Sequence, residues 1–326
     1  MRALVCREYG SFENLTIEEW DDPVPGEGEV VFDVHAAGLN FADILGIAGQ
    51  YQVKEPPPFI AGNEAAGVVS AVGPGVSRLK AGDRIIGALR GGAFAEKSVV
   101  SEAAAFPLPD AMDFAQGAAF TVAYGTSYHA LKDSAQLQEG ETVLVLGAAG
   151  GVGYAAVDLA KAMGARVIAA ASNADKLEFA RQGGADEVID YSTTSLRDAI
   201  KSLTNGKGVD VVYDPVGGDL AGEALRGLAW HGRFLVIGFA SGDIPQLPAN
   251  IALLKEAAII GVWYGTWCAK HPRQMLENAA ELSALIGSGK LRLAEPQVFA
   301  LEDFVEAFRS LAERRVLGKA VLTFNR

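Results

Sequence analysis

Val143-Leu144-Val145-Leu146-Gly147-Ala148-Ala149-Gly150-Gly151-Val152-Gly153 is the stretch that decides the fold. Four apolar residues in a row read as a buried strand. The glycines follow at once, and Gly153–Met163 reads as a helix. A strand, a glycine-rich turn and a helix are the context a dinucleotide-binding loop requires. Gly150 has no Cβ to keep a pyrophosphate off the backbone, and Gly153 lets helix and strand pack closely. The helix start offers free N–H groups and the positive end of its dipole. Ala149, Gly150, Gly151, Val152 and Gly153 are therefore the expected phosphate contacts. Ala148 stands where the pattern usually has its first glycine. Taken alone, the loop also suits a tight turn with no ligand; the chain that follows argues for a ligand.

Downstream, strands and helices alternate strictly. Ala165–Ala171, Glu187–Asp190, Val209–Tyr213 and Arg233–Phe239 read as strands, and Asp175–Gln182, Leu196–Leu203 and Leu220–Leu228 as the helices between them. Such spacing predicts a doubly wound parallel sheet with right-handed crossovers. The strands are apolar throughout, as expected when both faces are covered. The second strand runs into Ser172 and Asn173, where a carboxylate would grip a ribose 2′-OH and repel a 2′-phosphate. None stands there. Lys176 follows one helical turn on, and Tyr191 closes the next strand. A hydroxyl, a cation and a phenol suit a phosphate, so NADPH is the expected cofactor, with Ser172, Asn173, Lys176 and Tyr191 as contacts.

Upstream, the first third reads as short strands broken by Gly/Pro turns, among them Ala3–Cys6, Glu29–Ala36 and Ala66–Gly73. That pattern predicts a compact, partly closed β domain. Ala115–Leu131 reads as an alanine-rich helix. The tail reads as a strand-like Ala257–Trp263, helices over Pro272–Ser288 and Leu301–Leu311, and a last strand, Gly318–Phe324, which has no βα partner and is expected to return to the first domain.

The 326 residues suit two domains of roughly 100–200 residues each. Half are hydrophobic and 21% charged, which excludes a disordered chain. A net charge of −12 makes nucleic acid a poor partner. The two cysteines, Cys6 and Cys268, cannot build a disulfide framework or a multi-cysteine metal site, and they point to a reducing, cytoplasmic setting. No apolar run approaches the length of a membrane span.

Gly38-Leu39-Asn40-Phe41-Ala42-Asp43, Gly62-Asn63-Glu64-Ala65-Ala66-Gly67-Val68-Val69, Val72-Gly73, Gly82-Asp83-Arg84 and the loop at Gly147–Gly153 together resemble the medium-chain dehydrogenases/reductases, in particular their zinc-free quinone oxidoreductase (ζ-crystallin-like) branch. The likeness covers nearly the whole chain. It implies an α/β protein with a Rossmann doubly wound parallel sheet and a GroES-like, mainly β catalytic domain. The expected divisions are 1–120 for the catalytic domain, 121–262 for the NADPH-binding domain and 263–326 for a segment returning to the catalytic domain. Zinc members place a cysteine where Asn40 stands and a histidine where Asn63 stands. A neutral amide is a poor zinc ligand, and Gly87–Glu96 lacks the cysteines of a structural zinc lobe. No metal is expected. Without a Lewis acid to stabilise an alkoxide, reduction of an electron-poor quinone or conjugated carbonyl is the easier chemistry.

By the same resemblance Asn40, Asp43 and Tyr51 face nicotinamide and substrate, and Thr121 lies near the nicotinamide. Asn40 and Tyr51 would donate hydrogen bonds to an acceptor oxygen, Tyr51 also serving the cofactor, and Asp43 would orient its neighbours. Tyr124 is expected on the same helix, lining a cleft between the domains. Glu64, left without a metal, is expected to be structural and paired with a basic residue. Val216, Gly238, Phe239, Ala240, Val262, Trp263 and Tyr264 complete the expected cofactor contacts. The Ile259–Val262 edge strand resembles the family's pairing strand and implies a homodimer. Three readings stay open beside the quinone or enone reductase: an enoyl-thioester reductase with Lys54, Arg90 and Arg273 holding phosphates, an NADPH-binding protein with little catalysis, and a metal-dependent alcohol dehydrogenase.

Overall fold

The structure, a computed structural model, describes residues 1–324. The chain divides into two units, Met1–Val122 together with the residues from Glu295 onward, and Ala123–Ala294.

The first unit begins with eight strands: β1 (Arg2–Cys6), β2 (Thr16–Glu19), β3 (Glu29–Gly38), β4 (Phe59–Ile60), β5 (Glu64–Val72), β6 (Arg84–Ala88), β7 (Lys97–Ser101) and β8 (Ala105–Pro107). Helix α1 (Phe41–Ile47) follows β3, and α2 (Phe114–Ala118) follows β8. β1 pairs antiparallel with β2 and β4. β3 is the hub of the larger sheet, antiparallel to β5 and β7, and its Phe32 is fully buried. The single helix expected over 115–131 is broken. α2 ends at Ala118, α3 (Thr121–Tyr128) starts afresh, and a wider π-type turn covers His129–Ser134. At the break the Val122 N–H goes to the Glu64 carboxylate at 2.8 Å.

The second unit alternates as expected. β9 (Thr142–Leu146), α4 (Gly151–Ala162), β10 (Arg166–Ala171), α5 (Ala174–Gln182), β11 (Glu187–Asp190), α6 (Leu196–Leu203), β12 (Val209–Asp214), α7 (Gly218–Arg226), β13 (Leu228–Val236), α8 (Ala249–Lys255) and β14 (Ala258–Gly261) lead to α9 (Tyr264–Lys270) and α10 (Pro272–Gly287). The strand order is β11-β10-β9-β12-β13-β14, with every pairing parallel. Winding proceeds outward from β9 to β11, then crosses back to β12 and runs out to β14. The direction therefore switches between β9 and β12, and ligands of such sheets sit beyond the strand ends at that point. Val143, Leu144, Val145 and Leu146 are fully buried, as a strand covered on both faces requires.

Several boundaries differ from the sequence reading. β13 begins at Leu228, where a helix was expected to finish, because Gly227 caps α7 and Leu228 already pairs with Val209. It stops at Val236 rather than Phe239, since Ile237 N–H turns to the Asp214 carbonyl (2.9 Å). The return to the first unit comes at Glu295, not at 263. α10 stays with the second unit: Asn278 donates to Asp133 (2.8 Å), and the Arg292 backbone donates to the buried Asp158 (2.9 Å). Beyond Glu295, β15 (Gln297–Ala300), α11 (Phe304–Ala312) and β16 (Ala320–Thr323) complete a sheet of order β15-β16-β3-β5-β6-β8, in which β16 lies antiparallel to β3.

Candidate active site

The glycine loop joins β9 to α4. Gly150 stands at the N-cap of α4 with extended backbone, and no side chain caps the helix. The N–H groups of the first turn have no preceding turn to bond to, and Gly151, Val152 and Gly153 bring no competing polar side chain. The two outer glycines do different work. A Cβ on Gly153 would lie 2.9 Å from the Gly147 carbonyl carbon, closer still to its oxygen, and 3.0 Å from Ala148 Cα, so α4 packs directly on the loop. A Cβ on Gly150 would meet only the Gly147 oxygen, at 3.5 Å. That leaves open space beside free N–H groups, an arrangement suited to an anion. Val216 belongs to the same place: its Cγ2 would lie 2.9 Å from a Cβ on Gly147. The buried Asp214 carboxylate holds it there, accepting from Val216 N (2.8 Å) and Gly217 N (2.9 Å). Burial pushes the Asp214 pKa up, against the pull of those two N–H groups.

At the end of β10, Lys176 Nζ stands 3.4 Å from Ser172 Oγ. Tyr191 is tied alongside by its N–H to Ala171 O (3.2 Å). Asn173 caps α5, its Oδ1 accepting from Lys176 N at 2.9 Å, so its side chain already has a structural task. Asp190, at the end of neighbouring β11, turns its carboxylate to Ser192 (2.6 and 2.9 Å). Gly238, Phe239 and Ala240 form a turn rather than a strand end: Ala240 N–H bonds Pro215 O at 3.0 Å and Ser241 N–H bonds Val216 O at 2.9 Å, which brings this turn against the Val216 loop. Val262 N–H bonds Val236 O at 3.0 Å. Trp263 is 49% exposed, and Tyr264 opens α9 with its hydroxyl tight against Gly125. Tyr124 is buried, its phenol donates to Asp158 at 2.9 Å, and burial first, then the Asp158 charge, drives its pKa up.

In the first unit a polar cluster gathers where β3 meets α1. Asn40 N–H donates to Asp43 Oδ2 (2.7 Å), and Asn63 Nδ2 donates to Asp43 Oδ1 (2.6 Å). Asn40 Nδ2 donates to Glu64 Oε1 (2.9 Å). Lys319, just before β16, donates from Nζ to Leu39 O (2.7 Å), Asn40 Oδ1 (2.7 Å) and Glu64 Oε1 (2.6 Å). Asp43 is 3% exposed; desolvation pushes its pKa up to about 6, against the Asn40 N–H, the Lys319 charge and Asn63. Thr121, buried at the start of α3, adjoins the Val122 N–H that Glu64 holds. Tyr51 lies apart from this network: its N–H bonds Leu45 O (3.1 Å), and its phenol has no hydrogen-bond partner among the described residues.

Residues 26–110 match the model of the alcohol dehydrogenase GroES-like domain, and 151–283 that of the zinc-binding dehydrogenase. A quinone oxidoreductase-like protein 2 homolog from Nematostella vectensis is 39% identical over 98% of this chain and 88% of its own length. The chain belongs to the quinone oxidoreductase family of the medium-chain dehydrogenases/reductases. An Escherichia coli quinone oxidoreductase solved in complex with NADPH matches with TM-score 0.91 and 32% identity, over 99% of this chain and 100% of that one. The CurK enoyl reductase matches with TM-score 0.91 and 29% identity, over 99% of each.

One of the two matching models is named for zinc, an ion that calls for thiolate, imidazole or carboxylate donors. Among the described residues no three His, Cys, Asp or Glu side chains form a set suited to a metal. Asn40 and Asn63 offer amides, and the cation among Asn40, Glu64 and Leu39 is the Lys319 ammonium. His35 stacks on Phe114 and His129 pairs with Asp133 at 2.9 Å. These residues do not fit zinc. Sequence reasoning missed Lys319 altogether, and it read Asn63 only as an amide in place of a zinc-binding histidine. The one available signal was a lysine directly ahead of the apolar Ala320-Val321-Leu322.

Proposed function

We propose that this oxidoreductase uses NADPH to reduce a quinone or another conjugated carbonyl, without a metal ion. The observation that carries the reading is the Asn40 carboxamide. One of its N–H groups is bound to Glu64 and the other has no partner among the described residues. A donor so placed can stabilise the oxygen of an acceptor as it gains charge. Tyr51 offers a second donor. Asp43 is buried and holds the Asn40 backbone, so it orients rather than transfers a proton. NADPH, when bound, supplies the hydride. The first turn of α4 would hold its pyrophosphate, with Ala149–Gly153 and Val216 around it. Ser172, Lys176 and Tyr191 would take the 2′-phosphate, and the chains at Gly238–Ala240 and Val262–Tyr264 would reach the nicotinamide end, with Thr121 and Tyr51. The NADPH complex of the similar E. coli enzyme supports this assignment.

The likeness to an enoyl reductase favours a second acceptor class, enoyl thioesters. Lys54 and Arg90 are exposed, as that reading asks, while Arg273 pairs with Glu277 at 3.1 Å. NADPH oxidation measured with quinones, enals, enones and enoyl-CoA esters decides between them. Quinone turnover at least as fast as enoyl-CoA turnover is expected, and consumption of NADPH by no acceptor would leave only a binding protein. The partner is a small molecule and, in our reading, a second copy of the chain. β14 is an edge strand with Ile259 41% exposed, and Leu253 and Leu254 of α8 are 77% and 67% exposed. No helix among the described residues is long and apolar enough to cross a membrane. Cys6 and Cys268 are free thiols, which supports a cytoplasmic setting.

A further inference from the structure

Asn40 occupies the N-cap of α1, where an asparagine side chain ordinarily accepts from the helix's free N–H groups. Here its Oδ1 accepts from the Lys319 ammonium at 2.7 Å, while Asp43 secures the Asn40 backbone N–H. On the other side, Asn40 Nδ2 donates to Glu64 Oε1 at 2.9 Å. An ammonium can only donate and a carboxylate can only accept. A carboxamide held between them therefore has one orientation. Turned over, it would set its NH2 against the ammonium and its oxygen against the carboxylate, losing both bonds at once.

We propose that Lys319 is a positioning residue: by gripping the Asn40 oxygen and Glu64 together, it holds the carboxamide so that its second N–H is presented to the acceptor. The proposal rests on the functional reading above. Lys319 is itself only 9% exposed and spends its contacts on Leu39 O, Asn40 Oδ1 and Glu64 Oε1, so it acts through Asn40. A cation on the amide oxygen also draws charge from the nitrogen and makes the remaining N–H a stronger donor. Glu64 is anchored independently by Val122 N–H at 2.8 Å. The carboxylate end of the clamp therefore keeps its place, and it and the lysine together decide which way the amide faces.

The test is a mutant cycle. Asn40→Ala is expected to lower kcat about a hundredfold, the loss of one donor to a developing oxyanion. Lys319→Met combined with Glu64→Gln removes the ion pair without stranding a buried charge. With its oxygen kept by Val122 N–H, the new carboxamide of Glu64→Gln turns its NH2 to Asn40, so the Asn40 amide faces the other way and no longer presents its second N–H. This variant is expected to bind NADPH as the wild type does, to unfold within a few degrees of it, and to lose kcat about tenfold or more. Adding Asn40→Ala to it is expected to lower kcat no further than Asn40→Ala alone. A wild-type kcat in the paired variant, or losses that multiply in the triple one, would overturn the proposal. A second readout needs neither turnover nor a Lys319 variant. In wild-type protein labelled with nitrogen-15 at asparagine, the two Asn40 amide protons, identified by their loss in Asn40→Ala, are expected to exchange at different rates, the one bound to Glu64 being protected. Two protons that exchange equally fast would overturn the proposal even if the paired variant fails to fold. If no acceptor is reduced, it is the functional reading that fails, and the amide protons still judge the clamp.

Discussion

Replacing Gly153 and Gly150 each by alanine separates packing from ligand binding in a single loop. At Gly153 the new methyl would meet backbone only, 2.9 Å from the Gly147 carbonyl carbon and 3.0 Å from Ala148 Cα. No side chain can swing aside, so α4 or the loop must shift. Overpacking of this kind costs about 1–3 kcal/mol. In a unit of this size that lowers Tm by about 2–4 °C per kcal/mol, so a fall of roughly 2–12 °C is expected for Gly153→Ala. At Gly150 the methyl meets nothing closer than 3.5 Å, and φ is −83°, which suits alanine. Gly150→Ala should therefore melt within about 1 °C of the wild type when free of cofactor. Its methyl takes the space beside the first N–H groups of α4, and NADPH affinity should fall about tenfold or more, equal to about 1.4 kcal/mol. Circular dichroism melts of cofactor-free protein and fluorescence titrations with NADPH measure the two effects. Wild-type affinity in Gly150→Ala, or a wild-type Tm in Gly153→Ala, would refute the assignment of roles.

The raised pKa of Asp43 makes stability depend on pH. Its folded value of about 6 lies above the ordinary 3.8, so its contribution is full below the lower value and is lost as pH rises through the upper one, costing about 3 kcal/mol by neutral pH. Asp43→Asn, accommodated by turning the Asn63 amide, should show no such loss, so the stability difference between the two proteins measured in urea should shift by about this amount between roughly pH 4 and pH 7; a difference that stays constant with pH contradicts the burial argument. Lys176→Ala should weaken NADPH binding about tenfold and leave NADH binding unchanged, if the ammonium beside Ser172 meets a 2′-phosphate; equal losses for both cofactors would remove Lys176 from that role. A homodimer pairing through β14 should be lost on Ile259→Lys, and sedimentation of the wild type as a monomer at micromolar concentration would dispose of the edge-strand interface.

The parallel sheet was legible because each of its strands is a short apolar run between helices, and because the glycine loop stands where the topology needs it. What escaped was set by contacts distant in sequence. Helix α1 has only seven residues, too few for a periodic pattern, and owes its start to Asp43 holding Asn40. The break between α2 and α3 follows from Glu64, a strand residue, taking the Val122 N–H. An alanine-rich run carries no local sign of that. Lys319 joins Glu64 across 255 positions and Asn40 across 279, so neither neighbour announces it. That Glu64 would be paired with a basic residue was expected; which one could be read only once β16 had been laid beside β3.

The central claim is that protein amide and phenol groups, not a metal ion, stabilise the acceptor. Quinone-dependent NADPH oxidation, measured on protein before and after exhaustive chelation and alongside its zinc content, tests it most directly. Equal turnover in both samples, with zinc far below one ion per chain, is the predicted result. Turnover that disappears with the chelator and returns on adding zinc would contradict it.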